Sequence, residues 1–254
     1  MSSLPLISIV TVSYNAAATI EDAIRSVLQQ TYPHIEYIVI DGGSKDGTVD
    51  LLRGYDTQIS HWVSEPDRGI YDAMNKGIAL ATGEYIGFLN ADDFFANNDS
   101  VQKIVDHLLG KNTDAVFSQL DIVDPSDLDR VQRKYRVATY SRFMLKIGVM
   151  PPHPTFYCRR SCYTQLGVAP YKTDYRIAAD FELLVRMLLV VQPSWRYLPV
   201  TTVKMRAGGV SSENYQSRVQ LNREIIRGCL ENGLYTNPLW LLLKGPLRIC
   251  ELIR

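Results

Sequence analysis

Short β-branched runs that each stop at polar residues, and are each followed by apolar residues at helical spacing, constrain this chain more than any other feature. Ile7 to Val12 stops at Ser13-Tyr14-Asn15, and Ile20, Ile24, Val27 and Leu28 then form one helical face. Thr19, with Asp22 three residues on, gives that helix a start resembling a capping box. Ile35 to Ile40 runs into Asp41-Gly42-Gly43-Ser44-Lys45-Asp46-Gly47-Thr48, ahead of a helical segment with Leu51 and Leu52. Ile70, Ala73, Met74, Gly77, Ile78 and Ala81 mark a third helix, and Tyr85 to Leu89 reads as a buried strand ending at Asn90-Ala91-Asp92-Asp93. Strands alternating with helices predict an α/β fold with a Rossmann-like, mostly parallel central sheet flanked by helices. Ligands in such sheets bind beyond the carboxyl ends of the strands, where Tyr14, Asn15, Asp41, Asp92 and Asp93 all fall.

The pattern continues with a helix capped by Asp99 or Ser100, carrying Val101, Ile104, Val105, Leu108 and Leu109 and closed by Gly110. Beyond Asp114 it loosens into Ala115 to Val123 and a charged stretch from Arg130 to Arg136. The second half offers a strand at Thr155-Phe156-Tyr157, a helix from Ala179 to Val190, a strand from Tyr197 to Met205, a turn at Gly208-Gly209 and a helix from Val219 to Leu230. Lys+Arg 27 balances Asp+Glu 27, so the chain lacks the cationic excess on which nucleic-acid binding runs, and an anionic ligand must be met by local placement. The four cysteines form no CxxC pair and have no His at zinc-ligand spacing, which predicts reduced thiols. The N-terminus has neither the basic region nor the cleavage site of a signal peptide, and no apolar run reaches the ~20 residues that cross a bilayer. A cytoplasmic chain is expected.

Leu234 to Arg254 changes character, with Leu239-Trp240-Leu241-Leu242-Leu243 before a stripe of Lys244, Arg248, Glu251 and Arg254. This predicts an amphipathic C-terminal helix, suited to a membrane interface with its cations toward anionic lipid. The same pattern serves a helix docked on the core or on a second subunit, as in a homo-oligomer. Gly245-Pro246 puts a break in it.

Two loops carry chemistry. In Asp41 to Thr48 the glycines permit close backbone approach, while the acidic side chains accept hydrogen bonds from a base or sugar. It is no phosphate-cradling P-loop, and no G-x-G-x-x-G follows the first strand. In Asn90 to Asp93 adjacent carboxylates end a hydrophobic strand, an arrangement that calls for a cation, with Mg²⁺ or Mn²⁺ the natural partner of oxygen ligands. By spacing alone Asp180 is an acidic residue at a helix start. His153 lies between prolines, in reach of an acceptor or a diphosphate or else a structural donor. Arg206, with Ser211 in Gly208-Gly209-Val210-Ser211, suits a mobile loop closing over a diphosphate, with Arg68 a weaker candidate for that job.

Taken in order, Ile9-Val10-Thr11-Val12-Ser13-Tyr14-Asn15, the Asp41 to Thr48 loop, Glu65-Pro66-Asp67-Arg68-Gly69-Ile70-Tyr71-Asp72-Ala73-Met74-Asn75-Lys76-Gly77, Gly83-Glu84-Tyr85-Ile86 and Phe88-Leu89-Asn90-Ala91-Asp92-Asp93 resemble the family 2 glycosyltransferases of GT-A fold. The likeness is strongest to bacterial enzymes that build O-antigen, capsule and colanic-acid-type exopolysaccharide, which belong with lipopolysaccharide assembly at the membrane. It is close over the first half. In the second it rests on His153-Pro154-Thr155-Phe156-Tyr157, Ala179-Asp180-Phe181-Glu182-Leu183 and Gly208-Gly209-Val210-Ser211.

The resemblance implies that Thr11, Tyr14 and Asn15 border the nucleotide, that Asp41 accepts from the base, and that Asp67, Asn75 and Lys76 flank the ribose and diphosphate. Asn90 and Ala91 lie beside the nucleotide, and Asp92 with Asp93 holds the metal; Asn90 stands where many members have Asp. Asp180 takes the position of the catalytic base. Residues 1–115 become a nucleotide-sugar-binding half, 116–233 an acceptor-binding and catalytic half, and 234–254 the amphipathic helix. The implied enzyme is an inverting, metal-dependent glycosyltransferase at the inner face of the membrane, moving one sugar from a UDP, GDP or dTDP sugar to a lipid-linked oligosaccharide. A sugar nucleotidyltransferase, and a nucleotide-sugar-binding protein without turnover, are the competing readings.

Overall fold

Strand β1 (Ile7–Ser13) is buried along its whole length and is apolar on both faces, so it must lie between two layers. The computed structural model describes residues 4–110, 113–208 and 215–244. It places β1 between β2 (Ile35–Asp41) and β4 (Tyr85–Phe88), with β3 (His61–Ser64) outside β2, all parallel. The crossovers are α1 (Ile20–Leu28), α2 (Thr48–Gly54) and α3 (Ile70–Leu80), as the periodicity predicts. Short β5 (Asp93–Phe95) and α4 (Ser100–Leu109) follow, then β6 (Ala115–Asp124), β7 (Asp127–Tyr135), α5 (Arg142–Lys146), β8 (Tyr157–Arg159), α6 (Arg160–Thr164), α7 (Ala179–Arg186), β9 (Trp195–Arg206), α8 (Tyr215–Glu231) and α9 (Pro238–Leu242).

The sheet order is β3-β2-β1-β4-β8-β6-β9-β5, with β7 on β6. The expectation of a mostly parallel sheet therefore holds for the first four strands and fails beyond them. β8 runs antiparallel to both β4 and β6, β7 to β6, and β5 to β9, while β6 and β9 are parallel. A strand that returns through a tight turn, as β7 does after Asp124, has no length for a parallel crossover. β7 is the charged stretch of the sequence, and its exposed residues on an outer strand suit that position.

One apolar layer joins Val10, Val12, Ile38 and Ile40 to Met74 and Ile78 of α3, Phe181 and Leu184 of α7, and Ile225 of α8. The other joins Ile7, Ile9, Tyr37 and Val39 to Ile20, Ile24 and Val27 of α1 and to Val101, Ile104 and Leu108 of α4. Cys158, Cys162 and Cys229 are buried free thiols.

Local expectations shift in several places, among them the cap expected of Asp99 on α4, which makes no side-chain cap bond. Thr19 makes no side-chain cap on α1, and Asp22 instead pairs with Arg206 across the fold. His153–Thr155 is a 3₁₀ turn, with the strand beginning at Tyr157. The helix expected to reach Val190 stays α-helical only to Arg186 and finishes as a π turn over Met187–Val191. The C-terminal helix begins at Pro238 rather than Leu234, because Asn237 Oδ1 accepts from the Leu239 and Trp240 amides and Pro238 fits the first turn. Residues 245–254 of that expected helix lie outside the described residues. Among the described residues, no helix is long and apolar enough to cross a membrane.

Candidate active site

Ser13, Asp41 and Ser64 are register partners at the ends of β1, β2 and β3. The fully buried Asp41 carboxylate ties them together, accepting from Ser13 Oγ at 3.0 Å, Ser64 Oγ at 2.7 Å and Ser44 Oγ at 2.5 Å, and from the Gly43 and Ser44 amides. Burial would push its carboxyl above the usual range, but the bonds from Ser44, Ser64 and Ser13 outweigh that and hold it below. Asp41 is thus spent on shaping its loop. Asn15, at φ 49°, locks the same loop: its amide donates to Ser44 Oγ and its Oδ1 accepts from the Lys45 amide. A Cβ on Gly42 would come within 2.7 Å of Asp67 Oδ2, so a bare backbone there lets Asp67 pack against the loop.

Beyond these strand ends lies a cleft of about 740 Å³. Tyr14, Asn15, Asp67, Asn90, Ala91, Asp92, Asp93, His153, Asp180 and Arg206 all line it. Asp93 is buried, and burial together with the adjacent Asp92 charge pushes its carboxyl well above the usual range, against the pull of Asn90 and Arg206. Asn90 Nδ2 donates to Asp93 Oδ2 at 3.3 Å, while Asn90 Oδ1 and Asp93 Oδ1 are buried with no hydrogen-bond partner. Two orphan acceptor oxygens next to a cleft-lining Asp92 fit a hard divalent cation, which takes one or two carboxylates and completes its shell with water and phosphate. Among the described residues no cluster of three or more His, Cys, Asp and Glu forms a closed protein cage for such an ion.

Arg206 ends β9 and is anchored: Nη1 donates to the Asp92 carbonyl at 2.7 Å, Nη2 pairs with Asp22, and the guanidinium lies 5.2 Å from the Phe94 ring centre. The expectation of a swinging loop residue is corrected to a fixed cation under the Asn90–Asp93 turn. Ser211 lies outside the described residues.

The start of α7 also contributes to the wall, through Asp180 and Phe181. Asp180 is partly buried there, and burial raises its carboxyl to about 6, against the hydrogen bond from the Phe181 amide at 2.7 Å. The turn that carries it is held by Glu224 of α8, which accepts from the amides of Arg176, Ile177 and Ala178 at 2.9, 2.9 and 2.8 Å. Sequence reasoning passed over Glu224, and it also passed over Arg133 and Tyr135 of β7, which line the cleft. Their only signal was the charged stretch itself.

Four expected site residues sit elsewhere, and a fifth, His153, reaches the cleft without the expected charge. Thr11 is fully buried on the α1 side of β1, where its hydroxyl accepts from Tyr37 Oη at 3.1 Å. Asn75 is turned into the core: Nδ2 donates to the Tyr171 carbonyl at 2.8 Å and Oδ1 accepts from the Tyr171 amide at 2.9 Å. Lys76 pairs with Glu65 at 2.7 Å and Arg68 with Asp72 at 2.8 Å, and neither lines the cleft. His153 touches the cleft, but its Nε2 is held 2.6 Å from Tyr171 Oη and burial lowers its ring to about 4, so it is neutral at physiological pH and brings no charge to a diphosphate. Asn75→Ala is accordingly expected to cost about 2–4 kcal/mol in urea unfolding, because it strands the Tyr171 amide and carbonyl, while leaving nucleoside-diphosphate affinity by calorimetry little changed. A large loss of affinity in a stably folded variant would contradict this placement.

Residues 8–166 match the family model described as Glycosyl transferase family 2. A Mycobacterium tuberculosis protein named as an uncharacterized glycosyltransferase is 37% identical over 194 residues, covering 76% of this chain and 72% of its own length. Among solved structures, S. aureus TarS 1–349 in complex with UDP-GlcNAc superposes with TM-score 0.69 at 17% identity, over 89% of this chain; the chain spans 66% of that structure. Mannosyltransferase PcManGT from Pyrobaculum calidifontis, in complex with GDP-Man and Mn²⁺, gives TM-score 0.65 at 22% identity over 94% of this chain and 73% of its own. These two likenesses establish the GT-A fold. The family match over residues 8–166, together with the 37% identical relative, shows that this chain is a glycosyltransferase and belongs to glycosyltransferase family 2.

Proposed function

We propose that this glycosyltransferase moves a single sugar from a UDP, GDP or dTDP sugar to a lipid-linked oligosaccharide, with inversion and with Mn²⁺ or Mg²⁺, at the cytoplasmic face of the membrane during surface polysaccharide assembly. The observation that carries the reading is that Asp67, Asn90, Asp92, Asp93 and Asp180 all line one cleft. Residues 1–115 hold the donor and 116–233 present the acceptor. Asp92, with Asp93 and Asn90 beside it, would hold the divalent ion, which would supply positive charge against the departing diphosphate.

The chain's own residues supply the rest. Asp180 takes the proton of the acceptor hydroxyl as that oxygen bonds to the anomeric carbon. The bond from that carbon to the diphosphate oxygen breaks on the opposite face, and its electron pair leaves with the nucleoside diphosphate. A carboxyl raised to about 6 is ionised at neutral pH yet a better proton acceptor than an ordinary aspartate. Arg206, fixed under the Asn90–Asp93 turn, adds a cation on the leaving side.

The test is nucleoside-diphosphate release from a panel of UDP, GDP and dTDP sugars with membrane-extracted lipid acceptor. One donor is expected to turn over, EDTA to stop the reaction, and Mn²⁺ or Mg²⁺ to restore it. Asp92→Asn is expected to need far more metal for half-maximal rate. Donor binding with no turnover under any combination of acceptor and metal would overturn the transferase mechanism in favour of a binding role.

A further inference from the structure

Two five-residue helices from distant parts of the chain, α5 and α9, meet beside the cleft. The Phe143 and Trp240 rings pack edge-on at 6.1 Å, Lys146 Nζ lies 5.9 Å from the Trp240 ring centre, and Thr236 Oγ1 donates to the Lys146 carbonyl. Their outer surface is apolar: Phe143 is 55%, Leu239 73%, Leu242 70% and Leu243 46% exposed. Grouped exposed apolar side chains of this size mark a contact surface.

Charge narrows what the surface fits. The segments Val137 to Met150 and Leu234 to Lys244 contain Arg142, Lys146 and Lys244 but no Asp or Glu, in a chain with 27 acidic residues. An apolar face with basic neighbours and a tryptophan at its edge matches an anionic bilayer, whose headgroups attract Lys and Arg while its acyl boundary takes the apolar side chains. The face also adjoins the active site. Gly148, two residues after α5, and Lys244, two after α9, both line the cleft. Gly148 has φ +70° and no Cβ, and a Cβ there would meet Lys244 Cε at 2.3 Å and Leu241 Cδ2 at 3.0 Å, so α9 closes directly onto the cleft wall.

We propose that α5 and α9 together form the docking surface for an anionic lipid bilayer, with Phe143 as an anchor equal to the leucines of α9, and that docking turns the Gly148–Lys244 edge of the cleft toward the membrane. The second part rests on the lipid-linked acceptor proposed above; the docking surface does not.

The full chain is sedimented with vesicles of phosphatidylcholine alone and with vesicles half phosphatidylglycerol. Wild type is expected to partition onto the anionic vesicles and to be released by high salt, with Phe143→Ser and Leu239→Ser each weakening partition roughly tenfold. Nucleoside-diphosphate binding stays unchanged in both variants, because both side chains are exposed and outside the cleft. Equal partition of Phe143→Ser and wild type, indifference to phosphatidylglycerol, or vesicle-free dimerisation abolished by the same substitutions would each overturn the proposal. Normal vesicle binding with no transfer to any vesicle-borne acceptor would instead sink the lipid-acceptor reading and leave the docking surface standing.

Discussion

Asp180→Asn is expected to lower sugar transfer roughly 10²–10⁴-fold, the range lost with a general base, while nucleoside-diphosphate affinity holds, because Asp180 is carried by α7 and the proposed donor-binding residues by the strand-end loops. The wild-type pH profile of kcat/KM should fall on its acid side with an apparent value about 6, activity rising with pH as the carboxyl ionises. The groups facing Asp180 are Tyr71 of α3, Tyr171 of the preceding loop and Glu224 of α8; burial pushes both tyrosines well above their ordinary range, so at neutral pH only Glu224 among them carries charge. Stability runs against activity here. A folded value above the unfolded 3.8 means that the group's stabilising contribution is present below 3.8 and lost as pH rises through about 6. At pH 7.5 the amide should therefore melt at or above the wild-type temperature. Transfer that survives the substitution, or a wild-type acid limb near pH 4, would remove Asp180 from the base role.

Glu224→Ala should be the most destabilising single change at this site, about 3–5 kcal/mol by urea unfolding, because it leaves the amides of Arg176, Ile177 and Ala178 without their acceptor at a position only 3% exposed. Burial opposes the charge of Glu224, but the bonds from Gln220 and the three amides hold the carboxyl below its ordinary range. Its stabilisation is therefore complete above 4.5 and lost as pH falls through the depressed value, so the wild type should lose stability on acidification more steeply than the alanine variant. Glu224→Gln separates positioning from folding. It keeps an acceptor for part of the turn and removes the negative charge that helps raise Asp180, so the acid limb should move below 6 in a folded protein. A glutamine variant with an unmoved limb and full transfer would reduce Glu224 to a helix cap.

The strand-loop-helix rhythm of residues 7–110 was legible because each unit is local: an apolar run, a polar stop and a helical repeat lie within about thirty residues. The two acidic loops were legible for the same reason. β5 was too short to leave a period, and β7 was a charged outer strand without the alternation that marks a buried face. Thr11 was misplaced because a strand buried on both faces does not reveal which side a hydroxyl meets. Asn75 was misplaced because its partner Tyr171 stands 96 residues away, and Glu224 was missed because the amides it holds lie 46 to 48 residues before it.

The sequence by itself determined the layered α/β class, the order of the first strands and helices, and the acidic loops at their ends, since these follow from periodicity and backbone preference over short stretches. Only the tertiary structure decided which of those polar side chains face the cleft and which are consumed in holding it together. Asp41, Asn75 and His153 are indistinguishable from ligand-binding residues in the chain, and what separates them from Asp92 and Asp180 is a hydrogen-bond partner or a degree of burial that exists only once distant segments have packed.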